Sequence, residues 1–240
     1  MKERHPLVSL GFILGASLVL AVILGALTML RIRAQSDTVA VTGSAKMEVT
    51  ADQTKWTTQI SRSARESTLR SGYEQLAKDL ELTKAFLKSQ GIAEHEMVVS
   101  PVSMNEMYQR EGAVEKVYTL THTITMQTPE VERLTNASKN VGTLINQGVI
   151  FSTLALEYYY SKLPEARIQL LSQAIDDAKA RASELAKNSG RGVGSLKSAS
   201  SGVVQVQSRN STEVSDYGSY DTSQVEKQIT VTVKASFSLR

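Results

Sequence analysis

The 240-residue sequence contains no cysteine, which removes disulfides, thiolate nucleophiles and Cys-ligated zinc from consideration. It has only three histidines, His5, His95 and His122, and none belongs to a His/Asp/Glu cluster with metal-ligand spacing. Aromatic residues make up 5% of the chain, no Lys/Arg run carries interleaved aromatics, and the net charge is only +3. Part of that charge, on Lys2, Arg4, Arg31 and Arg33, flanks an apolar segment, so nucleic acid is not an expected partner. Gly190-Arg191-Gly192-Val193-Gly194 follows a helical pattern instead of joining a strand to a helix start, and reads as a helix stop, not a phosphate loop. The acidic residues Glu213, Asp216, Asp221 and Glu226 lack the alternating spacing of a calcium loop and read as a solvated or partner-facing loop. No catalytic set, metal or cofactor is expected, and the chain does not read as an enzyme.

What the chain does have comes first at its N-terminus. Leu7 to Leu30 is uncharged and long enough to cross a bilayer as a helix. A cleaved signal has a shorter apolar stretch, of about 7–15 residues. Residues 1–6 are then a short tail, 7–30 a transmembrane anchor, 31–37 a linker and 38–240 the soluble domain. Flanking charge is almost balanced, so it does not set the orientation. Gly11 and Gly15, with Ser17, Ala21 and Gly25, place small residues where a second membrane helix could approach.

Beyond the anchor the period alternates between two and 3.6, the mark of an α+β chain. Strands are expected at 38–45 and 53–63, with Gly43 marking a bulge or close contact. A helix follows at 65–90 on Leu69, Tyr73, Leu76, Leu80 and Leu87, ended by Gly91. Residues 97–108 and 115–127 read as a hairpin turning at Glu111-Gly112, and 129–147 as one helix. A long strand at 149–161 leads to the strongest helix, opened by Pro164-Glu165, with Ile168, Leu171, Ile175, Ala178, Ala182 and Leu185 as its apolar positions. Strands at 193–206 and 225–239 close the chain, the last alternating cleanly. The order forms two βαββ-type units with an intervening helix, which favours one layered structure over two independent domains.

Val41-Thr42-Gly43, Ala51-Asp52, LKSQGI at Leu87–Ile92, LINQGV at Leu144–Val149 and AIDDAKARASELAKNSGRGVG at Ala174–Gly194 together resemble the SIMPL-domain family. The family consists mostly of bacterial envelope proteins. Ala45 and Ala51 depart from it, standing where many members have glycine and proline. The segment STEVSDYGSYDTSQVEK, Ser211–Lys227, is similar to a membrane-anchored bacterial subgroup and implies that this polar stretch is ordered. The resemblance implies an α+β fold, self-association, and a periplasmic domain on the bacterial inner membrane. It transfers no catalytic residue.

The expected partners are the lipid bilayer and further copies of the chain, with an envelope protein or cell-wall fragment as an additional partner. Candidate contacts are Gly11, Gly15, Ser17, Ala21 and Gly25 in the anchor, Tyr158, Tyr159 and Tyr160 at a strand end, and Asp216, Tyr217, Tyr220 and Asp221 in the polar segment. The alternative function is a binding module for a small molecule, peptide or cell-wall fragment near Tyr158–Tyr160 and the Ser211–Ser223 loop.

Overall fold

The computed structural model describes residues 6–108, 115–211 and 215–240, and within the first helix the side chains of residues 10–29. Helix α1 runs from Pro6 to Ser36. It takes in most of the stretch expected to be a linker, because Arg31, Arg33, Ala34 and Gln35 favour helix and nothing in the run breaks it. Asp37 alone separates it from strand β1, Thr38–Thr50. The remaining elements are β2 (Gln53–Arg65), α2 (Leu69–Ser89), β3 (Met97–Val99), β4 (Ser103–Glu106), β5 (Val117–Thr128), α3 (Val131–Lys139), α4 (Gly142–Asn146), β6 (Phe151–Tyr159), α5 (Leu163–Asn188), β7 (Val193–Ser208), β8 (Ser219–Tyr220) and β9 (Glu226–Leu239). The chain is α+β with two sheets and an N-terminal apolar helix.

Contacts divide it into two compact units, each discontinuous in sequence. The first comprises Met1–Ala45, Gln169–Val203 and Val231–Arg240; the second comprises Lys46–Ile168 and Val204–Thr230. One sheet has the order β1-β9-β7-β8, and the other has β3-β5-β2-β6 with β4 also on β5.

In the first unit, Ala174, Ala178 and Ala182 of α5 pack on Val233, Ala235 and Phe237 of β9, flanked by Val39, Val41 and Val193. Of the expected helix face, Ala178 and Ala182 are buried and Leu171 and Ile175 pack against the cluster, and only its two ends are corrected. Ile168 and Leu185 are 72% and 55% exposed, whereas Leu170, Ala174, Ala178, Ala182 and Ala186 are buried. The cause lies on the strand: a Cβ at Gly43 would come 2.1 Å from the carbonyl oxygen of Ala174 and 2.5 Å from the nitrogen of Ala178. Helix backbone and strand backbone touch there, which only small side chains on both elements permit. Asp177 completes the contact by accepting the Ser44 N–H at 2.8 Å and pairing with Arg181 at 2.9 Å. The Ser44 N–H, ahead of the Arg181 guanidinium, holds the Asp177 carboxyl below its ordinary value.

In the second unit β2 is central. It pairs antiparallel with β5 from Thr54↔Thr128 to Arg65↔Val117, and antiparallel with β6 from Gln53↔Tyr159 to Ile60↔Phe151, with an irregularity at Thr57/Thr58. Trp56, Ile60, Leu120, Ile124 and Met126 face the core, which α2 closes with Leu76, Phe86 and Leu87 and the two short helices with Leu134 and Leu144. Tyr73, expected on the buried face of α2, is exposed. The single helix expected at 129–147 is instead α3 and α4, because Asn140 and Gly142 are weak helix formers at the junction. The first hairpin arm is split into β3 and β4 across Pro101, which has no N–H to donate. The expected hairpin turn at Glu111-Gly112 lies outside the described residues.

The sheets also amend the two-pass picture. Strand β6 begins the second βαββ pass but completes the sheet of the first, and β1 takes a place beside β9.

Candidate functional site

The end of β6 and the polar segment before β9 are brought together within the second unit. Alternation sends Tyr158 inward, where it is buried and its hydroxyl lies 3.0 Å from Thr135 Oγ1 on α3. Tyr159 points the other way. Its hydroxyl donates to Glu157 Oε1 at 2.9 Å, and its ring lies 5.9 Å from that of Tyr220 at 34°. Partial burial, followed by the Glu157 carboxylate, pushes the Tyr159 hydroxyl above its ordinary value. The backbone N–H of Tyr158 donates to Thr222 O and that of Tyr160 to the Tyr220 hydroxyl, both at 2.8 Å.

The polar segment is ordered where it is described, at 215–227, while residues 212–214 lie outside the description. Strand β8 pairs parallel with β7 at Gln205↔Ser219 and Val206↔Tyr220. Gly218, at φ 84°, makes the turn into it. Asp221 donates its N–H to Val206 O at 2.8 Å, and its Oδ1 accepts both the N–H and the hydroxyl of Ser223 at 2.7 Å. The Ser223 donors hold the Asp221 carboxyl below its ordinary value.

Beneath this turn lies Lys227, only 1% exposed. Its ammonium donates to the carbonyl of Asp221 and sits 5.6 Å from the centre of the Tyr220 ring. Burial lowers its pKa against the opposing pull of the Asp221 charge. The buried cation thus holds the loop through a carbonyl and an aromatic face. Sequence reasoning passed over Lys227, although it occupies a core-facing place in the alternation of β9 with Ile229 and Val231. A charge in register with a buried face is the signal that marks it.

The SIMPL family model, described as a protein of unknown function (DUF541), matches residues 39–237. The chain belongs to the SIMPL family. No curated protein matches it. The match starts in β1 and ends in β9, so the SIMPL domain takes in residues from both compact units and leaves α1 outside.

Other sequence candidates of this SIMPL chain fall elsewhere. Asp216 and Tyr217 are exposed, and Tyr217 makes no ring contact with the tyrosine cluster. On α1, Gly11 and Gly15 line a shallow groove of about 490 Å³ with Phe12, Ala16, Val19, Leu20 and Ile23. Ser17, Ala21 and Gly25 form a separate stripe, rotated by roughly 100° at 3.6 residues per turn. His122 is a half-buried histidine whose Nδ1 lies 2.8 Å from Ser100 O. Asp52 accepts the N–H and hydroxyl of Ser161, both at 2.7 Å, and so ties the β1–β2 turn to the residue after the tyrosines.

A concave feature of the SIMPL domain itself lies at the start of α3. It is a groove of about 690 Å³ lined by Thr50, Ala51, Pro129 to Arg133, Asn136, Val225 and Glu226, with no aromatic ring. Among the described residues no three His, Asp or Glu side chains converge as metal ligands.

Proposed function

We propose that this SIMPL protein is a non-catalytic envelope component. It is anchored in the bacterial inner membrane by α1, carries its domain on the periplasmic side, and assembles into a homo-oligomer that serves envelope maintenance or stress tolerance. The observation that carries this reading is α1 itself. Leu10–Met29 has mean hydropathy 2.6 and none of it is buried by the rest of the chain. Twenty such residues in water would be strongly unfavourable, so lipid and neighbouring helices are their natural surroundings. A Cβ at Gly11, Gly15 or Gly25 would meet no atom within 4 Å, which leaves the notch at Gly11 and Gly15 open for a helix of another copy. A non-catalytic role is supported by the polar groups of the tyrosine cluster, which are engaged in holding a loop.

Chemical crosslinking and native mass measurement in mild detergent test the assembly, with and without residues 1–36. A strictly monomeric protein in both forms refutes it. Gly15→Leu fills the notch and should weaken assembly in membranes more than in the soluble domain; equal assembly of mutant and wild type counts against the helix face. Reporter fusions after Ser36 and after Arg240 test the orientation.

The α3 groove favours a second reading, a binding module. Its Glu130, Glu132 and Glu226 outnumber Arg133, which suits a hydroxyl-rich or cationic ligand such as a cell-wall fragment. Absence of any thermal shift or NMR perturbation with such fragments would remove it.

A further inference from the structure

We propose that the free edge of β6 is a self-pairing surface, at which β6 of a second copy of this chain adds antiparallel around a two-fold axis through Ser152. The inference rests on the self-association proposed above and names the surface that carries it.

Strand β6 pairs with β2 on one side and ends the sheet on the other. Its carbonyls at Ile150 and Tyr159 accept from Ser61 and Asp52 N–H, so those residues turn their backbone groups toward β2. Alternation, allowing for the irregularity opposite Thr57/Thr58, then turns the backbone N–H and C=O groups of Phe151, Thr153, Leu156 and Tyr158 toward the free edge. At Tyr158 the outward N–H is taken by Thr222 of the chain's own loop. Among the described residues no strand covers Phe151 to Leu156.

Apart from the one-residue irregularity at Leu154, the uncovered stretch has neither the charges nor the proline that protect sheet edges. No charged residue and no proline occurs from Asn140 to Leu156. Ile150 and Leu154 stand 51% and 54% exposed on it. The opposite edge of the same sheet is broken at Pro101 and carries Glu106. One edge is thus guarded and the other is left open to a strand.

The chemistry of the edge selects a second copy as that strand. A partner must be extended, uncharged and apolar at alternate positions, and β6 itself meets each requirement. Antiparallel self-pairing centred on Ser152 sets Phe151 of one copy against Thr153 of the other, which satisfies the free backbone groups reciprocally. The same register sets Ile150 against Leu154 twice, covering both exposed side chains. The nearest charge, Glu157, lies five residues from the axis in each copy, so like charges stay roughly 34 Å apart at about 3.4 Å per residue.

The cysteine-free sequence gives a clean background for the test. Ser152→Cys is introduced into the full chain in mild detergent, with Val98→Cys as the control, an exposed residue on the opposite edge strand β3. Two cysteines on the axis would sit at a Cα separation of about 4.5–5.5 Å, within disulfide range. Ser152→Cys is expected to form a disulfide dimer on mild oxidation and Val98→Cys is not. Leu154→Lys should weaken association about tenfold, since the register repeats the change at two symmetric places. Adding Ile150→Glu to it should restore association, because the new charges then face each other across the axis.

An oligomer by native mass with Ser152→Cys crosslinking no better than Val98→Cys overturns β6 pairing and leaves self-association standing on another surface. A strictly monomeric chain overturns both. Capture of Ser152→Cys on a foreign polypeptide in place of a second copy also overturns the proposal.

Discussion

Replacing Gly43 by alanine should destabilise the first unit out of proportion to the single methyl group added. The new Cβ would stand 2.1 Å from Ala174 O and 2.5 Å from Ala178 N, both backbone atoms of α5. Ordinary contact requires roughly 3.4 Å, so the helix must retreat by more than about 1 Å from the strand. That retreat strains or breaks the Ser44 N–H bond to Asp177 and loosens the alanine stripe against Val233, Ala235 and Phe237. Overpacking of a filled core costs about 1–3 kcal/mol, and an obstacle made of backbone places this site at the upper end. A loss of about 3 kcal/mol corresponds to a fall of roughly 6–12 °C in Tm for a domain of this size.

The assay is thermal and urea unfolding of the full chain in mild detergent followed by far-UV circular dichroism, because the single tryptophan, Trp56, reports on the second unit. Gly142→Ala, where a Cβ meets nothing within 4 Å, is the control and should leave the midpoint unchanged or slightly raised. Ala178→Gly should not rescue Gly43→Ala, since the closest obstacle is the Ala174 carbonyl and not a side chain. A midpoint for Gly43→Ala within error of wild type would refute the reasoning.

Asp79→Ala should cost about 1.5–3 kcal/mol, because the partly exposed Arg62 loses a bidentate partner but keeps the Gly148 carbonyl; chemical denaturation reads the loss. The Asp177 carboxyl titrates below its ordinary value in the folded chain, so its contribution is present above about pH 4 and fades as pH falls through the lowered pKa. Asp177→Asn should therefore flatten the stability profile below about pH 4, and an unchanged acid limb contradicts the assignment. Lys227→Met keeps the buried stem but removes the donor to Asp221 O, so hydrogen exchange should accelerate at the amides of Asp221 and Tyr158. Equal protection in mutant and wild type would show that the loop does not depend on the cation.

Local pattern carried much of this structure, and the reasons are physical. The uncharged run at the N-terminus, the leucine period of α2, the Gly91 stop at φ 81° and the alternation of β9 are all properties of neighbouring residues. Each depends on whether a segment can present one apolar face, and a sequence states that directly. Gly43 was legible as a close-contact position, though not what it touches. Tyr158–Tyr160 and the segment from Ser211 were legible as unusual, yet nothing in their spacing shows that Tyr220 and Thr222 receive the N–H groups of Tyr160 and Tyr158.

What tertiary structure alone decided are the choices among faces and partners that local pattern leaves equal. Periodicity offered α5 one face from Ile168 to Leu185, and packing recentred it on Ala174, Ala178 and Ala182, where Gly43 lets the backbones meet. Element order offered β6 to the second βαββ pass, and pairing gave it to β2 in the first. Lys227 could be read as a flaw in an alternating strand until the Asp221 carbonyl and Tyr220 ring were placed above it. The sequence by itself determined the membrane-length helix, the α+β class and the family likeness, because these follow from composition and near neighbours. Register, helix face and the burial of a charge came only from contacts between residues far apart in the chain, whose free energy belongs to the pair and not to either segment.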